Sequence, residues 1–198
     1  MVCNEYQSVA ILYKAIPELV AEPLGWGSYQ DDPDAHFFLC RFCEMSDDVP
    51  DAAEFTELVA KMHKENPSPT GNFGFDLVTY GGRNPQFFPV TKSWEECFTK
   101  GMEKIFDQEE ETQGPDEELA VLRKGFFELV IPRLLRPLES EGRTLTPRLV
   151  HGDLWDGNAS VDVNTGHPRI FDPTPLYAHN ECGCISASGP NLRFFGDC

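Results

Sequence analysis

The run Leu149-Val-His-Gly-Asp-Leu-Trp-Asp-Gly-Asn-Ala-Ser-Val-Asp-Val163, closed by Phe171-Asp-Pro173, decides how this chain is read. Arg148 to Val150 predicts a short strand and His151 to Asn158 a loop. Ala159 to Val163 predicts a second strand, Asn164-Thr-Gly166 a turn, and Pro168 to Phe171 a third strand returning beside it. Asp153 and Asn158 then stand before one arm of a hairpin and Asp172 at the end of the other. Their oxygen-bearing side chains are expected to converge.

That order of residues has a chemical reading. A hydroxyl attacking the γ-phosphate of ATP needs a carboxylate to orient it and take its proton, and Asp153 could supply one. Magnesium prefers octahedral oxygen coordination, so the Asn158 amide oxygen and the Asp172 carboxylate could hold it beside the phosphates. Gly152 and Gly157 would give the loop backbone freedom near the reacting groups. The plainer alternative is a polar turn whose Asp and Asn only satisfy nearby backbone. The order His-x-Asp-x-x-x-x-Asn, then a strand-terminal Asp-Pro, is that of protein-kinase-like phosphotransferases and favours the first reading.

Composition sets the outer bounds. With 198 residues and 40% hydrophobic content, the chain can bury one good core. A formal net charge of -17 argues against nucleic acid and anionic membranes as partners and suits a cationic substrate. No apolar run is long enough to span a bilayer, and Met1-Val-Cys-Asn-Glu5 does not read as a signal peptide. Seven cysteines without a disulfide-framework spacing predict a reducing, cytoplasmic setting.

Tyr6, Val9, Ala10, Tyr13 and Ile16 predict a helix over about Asn4 to Ile16, with Glu5 in its first turn. Glu5 there is either a charge favoured at a helix start or a partner for a nucleotide-binding Lys. Gly25-x-Gly27 lacks a third glycine and a following helix, so it predicts a strand entry rather than a phosphate loop. His36 to Met45 predicts an apolar strand running into a polar connection, where Arg41, Phe42 and Cys43 could offer backbone groups to an adenine edge. Cys40-x-x-Cys43 has no second Cys-x-x-Cys, which argues against a zinc site. Asp51-Ala-Ala-Glu54 and Ser93-Trp-Glu-Glu96 are capping boxes that predict helix starts. His63 is expected to be a structural partner of nearby backbone. Gln108 to Glu118 is expected to be an acidic loop. A third helix from Pro115 is expected to turn Leu119, Leu122, Phe126, Leu129 and Val130 inward and to bend or end at Pro132.

Further segments carry a family resemblance. Leu58-Val-Ala-Lys-Met-His63, Ser68-Pro-Thr-Gly-Asn-Phe-Gly-Phe75, Thr79-Tyr-Gly-Gly82 with Pro85-Gln86, and Ser93-Trp-Glu95 resemble the fructosamine (ketosamine) kinase family. So do His151-Gly-Asp-Leu-Trp-Asp-Gly-Asn158, Phe171-Asp-Pro173 and Tyr177-Ala-His-Asn-Glu181. The resemblance implies an α+β, protein-kinase-like (aminoglycoside-phosphotransferase-like) fold, with residues 1–44 in a small lobe and hinge and 45–181 in a mainly helical large lobe. It implies ATP-dependent phosphorylation of the 3-hydroxyl of a ketosamine on a protein lysine or small amine, a deglycation step. Asp153 would be the base, and Asn158 and Asp172 would hold Mg2+. Arg41, Phe42 and Cys43 would border adenine, Glu5 would be the Lys-pairing carboxylate, and Trp155 would pack against the sugar or the core.

The sequence also departs from that pattern. No glycine-rich strand pair with its Lys precedes the first helix, so low or no turnover is expected. Residues 182–198 are expected to be a divergent, disordered tail. Another small-molecule kinase of the aminoglycoside or choline type, and an inactive remnant that binds a ligand or partner, stay open as alternatives.

Overall fold

The computed structural model describes residues 1–184, so the expectation for the tail from residue 185 onward lies outside the described residues. The predicted first helix forms as α1 (Val2–Ala15), with Val9 and Leu12 buried. An antiparallel hairpin of β1 (Pro23–Ser28) and β2 (His36–Cys40) follows, and Gly25 and Gly27 are ordinary strand residues within it. After β3 (Met45–Ser46), helix α2 (Ala52–Glu65) turns Phe55, Val59 and Met62 inward.

Each capping box is half realised. The Asp51 carboxylate accepts from the N–H groups of Ala53 and Glu54 at 3.1 and 3.0 Å, closing orphan donors of α2. Glu54 pairs with His167 at 2.5 Å across the fold. Ser93 caps α3 (Trp94–Gln113) by accepting from the Glu96 N–H. The rest of that helix start is held by the Glu139 carboxylate, which accepts from the Trp94 N–H at 2.8 Å and the Ser93 hydroxyl at 3.0 Å.

Two expectations are corrected here. The acidic stretch from Gln108 is not a loop: α3 continues to Gln113 and stops at Gly114, whose φ is 86°. Its Glu and Gln residues are good helix formers that cost nothing when solvated, and Asp107 and Glu110 pair with Arg123 of α4 (Glu117–Gly125). The expected inward face of the next helix holds in part at Leu119 and Phe126, which are half-buried, and fails at the other three positions. Leu122 and Leu129 are 61% and 69% exposed, Val130 is exposed, and Ile131 is the buried residue. Pro132 removes a backbone donor and its ring crowds the preceding turn. The helix widens into a π-turn over Phe126–Val130 before the short α5 (Ile131–Leu134), shifting the apolar register.

Strand β6 (Arg148–Val150) runs between two cores and pairs antiparallel with β9 (Leu176–Ala178). Leu149 joins the core built on α1 and α2, while Val150 joins a second around Phe73, Phe75, Trp94 and Cys97. The expected hairpin forms as β7 (Ala159–Asp162) and β8 (Pro168–Ile170), with β3 on the other side of β7. Between β6 and β7, Leu154 is also sunk into the first core. Asp153 is therefore flanked by buried apolar side chains, Leu149 and Val150 before the loop and Leu154 directly after it.

Candidate active site

Three hydrogen bonds tie the loop to the end of the hairpin. The Thr174 N–H donates to the His151 carbonyl at 2.9 Å, and the Phe171 N–H donates to the Asn158 carbonyl at 3.1 Å. The third is His151 Nε2 to the Phe171 carbonyl at 3.0 Å. The other ring nitrogen of His151 accepts from the Asp153 N–H at 3.3 Å, which fixes a neutral tautomer with the proton on Nε2. Burial drives the His151 imidazole down to about 4, so it stays uncharged while clamping Asp153 to the strand that ends at Asp172.

The backbone on both sides of this clamp is unusual. Gly152 sits at φ 84°, and a Cβ there would collide with the Thr174 carbonyl oxygen, so only glycine lets the two chain segments close. Asp172 adopts φ 53° without being glycine. Such a conformation costs on the order of 1 kcal/mol and collects at working sites.

The clamp brings Asp153, Asn158 and Asp172 onto one cleft of about 400 Å³. Asn158 is buried, and its amide nitrogen donates to both the carbonyl and the Oδ2 of Asp153, at 2.8 and 3.0 Å. Its Oδ1 makes no hydrogen bond among the described residues. Asn158 thus orients the carboxylate of Asp153 and keeps a buried oxygen for something else. Glu5, in the first turn of α1, lines the same cleft. Its carboxyl is raised above the usual range, by burial first and then by the Asp172 carboxylate facing it. Trp155 stands at the cleft with 41% of its surface exposed, so it is not a core residue.

The sequence reading missed several contributors to this cleft, among them Ser8 of α1. Thr79 and Tyr80 line it from β4 (Thr79–Gly81), which pairs with β5 (Asn84–Gln86). The Asn4 side chain donates to the Val78 carbonyl at 2.9 Å and so docks α1 against that hairpin. The quoted run Thr79-Tyr-Gly-Gly82 was the available signal, but it carries no chemistry of its own kind.

Arg41, Phe42 and Cys43 are placed differently. A second, apolar pocket of about 260 Å³ shares Glu5 and Asp172 with the cleft and is walled by Val9, Leu12, Phe38, Cys40 and Ile170. Cys40 closes that wall, and the three residues after it lie outside the lining. The Arg41 N–H donates to the Glu22 carbonyl and its guanidinium to the Glu22 carboxylate at 2.7 Å, while Phe42 is 86% exposed. His63 makes no side-chain hydrogen bond among the described residues; burial, and then the Arg148 guanidinium, bring it down to about 4.

Among the described residues, the cleft is lined by the carboxylates of Glu5, Asp153 and Asp172 and by no Lys or Arg. The model of the fructosamine kinase family ("Fructosamine kinase") matches residues 1–186. The chain belongs to the fructosamine kinase family. It is 38% identical over 110 residues to a mouse ketosamine-3-kinase, covering 55% of this chain and 33% of that protein. To a chloroplastic protein-ribulosamine 3-kinase of Oryza sativa subsp. japonica it is 33% identical over 147 residues, covering 73% of this chain and 40% of the relative. This family member therefore spans less than half the length of either. A solved structure from Haemophilus somnus 129PT, assigned as a fructosamine-3-kinase, superposes with a TM-score of 0.68 at 20% identity, over 97% of this chain and 62% of the other. The α+β, kinase-like fold is shared. No helix among the described residues is long and apolar enough to cross a membrane.

Proposed function

We propose that this chain carries the catalytic loop of an ATP-dependent ketosamine 3-kinase. The observation that supports it most is the division of labour in Asn158: its nitrogen holds Asp153, and its buried oxygen is left toward the cleft that Asp172 shares. An amide oxygen plus a carboxylate is a fitting donor pair for Mg2+, which completes its shell with water and phosphate rather than with a protein cage. Asn158 and Asp172 would hold it, and when bound it would neutralise charge on the triphosphate in a cleft that no cationic side chain lines among the described residues.

In this reading Asp153 accepts the proton of the sugar 3-hydroxyl as that oxygen bonds to the γ-phosphorus and the bond to the β-phosphate oxygen breaks, giving ADP and the 3-phosphate. His151 and Asn158 keep Asp153 in place without titrating near neutral pH. Trp155 would pack an indole face on the sugar. The adenine would lie by the apolar pocket, with backbone of the 41–43 segment at its edge; Phe42 and Cys43 are the better candidates because the Arg41 N–H is already given to Glu22. Glu5 would keep its raised carboxyl until a cation lies between it and Asp172. Residues 1–44 would form the small-lobe side and hinge, and 45–181 the large-lobe side. Glycated proteins or small ketosamines are the proposed substrates. The thiols of Cys3, Cys40, Cys43 and Cys97, which form no disulfide, suit a reducing, cytoplasmic setting.

The test is transfer of labelled γ-phosphate from ATP to fructosyl-lysine. Slow, magnesium-dependent transfer is expected, and Asp153→Ala should lower it by about 10²–10⁴-fold, the worth of a positioned base. Transfer to aminoglycosides or choline in place of ketosamines would overturn the substrate assignment. Transfer that survives Asp153→Ala would overturn the base.

A further inference from the structure

Gly157 lies between the base and the metal-holding amide, yet nothing in its backbone calls for glycine: its φ falls outside the left-handed region that Gly152 occupies. What its missing side chain makes room for is the indole of Trp155. A Cβ on Gly157 would run into Cη2 of that ring and lie 2.5 and 2.7 Å from Cζ2 and Cζ3. The fused six-membered ring therefore rests on the bare Cα of Gly157. Trp155 precedes the short 3-10 turn Asp156–Asn158, and its 41% exposure shows that no core encloses the ring. We infer that Gly157 is a positioning residue: its flat Cα is the seat that holds the Trp155 indole at the cleft, and so sets the room left for the sugar of a ketosamine.

The physics predicts which partner yields. The crowded atoms are the tip of a half-exposed side chain with solvent on its free side. The loop itself is held by the Asn158 N–H to the Trp155 carbonyl at 3.0 Å and by the Asn158 side chain on Asp153. With an alanine at 157 the indole swings away and the loop stays. The consequence for substrate rests on the ketosamine reading above; the seat itself does not.

Two measurements test it. In a Trp26→Phe background the fluorescent indoles are Trp155 and Trp94, and Trp94 is 2% exposed, so acrylamide quenching reports Trp155. Gly157→Ala is expected to increase the quenching. It should also raise KM for fructosyl-lysine about three- to tenfold, the worth of one aromatic contact, while leaving KM for ATP in place. Trp155→Phe removes the fused ring, so adding Gly157→Ala to it should cost nothing more in ketosamine KM. Unchanged quenching, or an equal KM penalty in both backgrounds, overturns the inference. If the wild type turns over no ketosamine, the proposed function falls and quenching alone decides the seat.

Discussion

At Gly152 two constraints coincide, a φ of 84° and a Thr174 carbonyl oxygen where a Cβ would sit. Neither can relax cheaply, because the obstacle is backbone already bound to His151. Gly152→Ala should therefore cost about 3 kcal/mol or more of stability, read as a lower urea midpoint. A midpoint equal to wild type would mean that the loop and the end of the hairpin are not locked together. Gly157→Ala, crowding only a side-chain tip, should leave the midpoint nearly in place. His151 gives the residue scale its pH dependence. Its folded value of about 4 lies below the unfolded value near 6.5, so the unfolded chain binds the extra proton. Its stabilisation is complete above about pH 6.5 and is lost as pH falls toward 4, on the order of 3 kcal/mol for this one group. His63 is lowered in the same direction and adds to the loss. Denaturant midpoints between pH 7 and pH 4 should fall steadily, and His151→Gln should flatten part of that slope. A midpoint that does not change over this range would contradict the buried neutral imidazole.

At the scale of elements, the start of α3 depends on a side chain from far along the chain. Glu139 supplies a carboxylate to the Trp94 N–H and the Ser93 hydroxyl, and its charge also faces the positive end of the helix dipole. Glu139→Ala should cost about 1–2 kcal/mol, the range of a lost helix cap, whereas Glu96→Ala at the expected capping-box position should cost little. Equal losses in thermal unfolding would contradict the assignment. This contrast shows what the sequence made legible. The hairpin β7–β8, both cap residues and the meeting of Asp153, Asn158 and Asp172 at one cleft follow from local spacing, because turns, caps and the loop that carries Asp153 are written in nearby residues. Glu139 on α3, Thr79 and Tyr80 in the cleft, and Asn4 on Val78 are long-range contacts with no local pattern. The run Phe126–Val130 failed for another reason: a 3.6-residue period was carried through a turn that Pro132 forces wider. The Arg41–Cys43 segment is read by order along the chain, and it follows directly on Cys40, the last residue of that stretch in the pocket wall.

For the whole molecule the governing quantity is charge. The chain carries a formal net charge of -17, and among the described residues the cleft is lined by the carboxylates of Glu5, Asp153 and Asp172 and by no cationic side chain. A field of that sign draws in cations and repels anions, and its reach shrinks from about 30 Å at 0.01 M salt to about 8 Å at 0.15 M. A ketosamine with a protonated amine should lose kcat/KM as salt rises, by several-fold over that range, through slower encounter rather than slower chemistry. The same sugar joined to an acylated, uncharged nitrogen should respond weakly. ATP, an anion even with its metal, should show the opposite slope in its own kcat/KM. Measuring the three slopes on one preparation separates steering from a general salt effect on the fold, which would move all three in the same direction. Parallel slopes would mean that the acidic surface serves solubility alone and takes no part in gathering substrate.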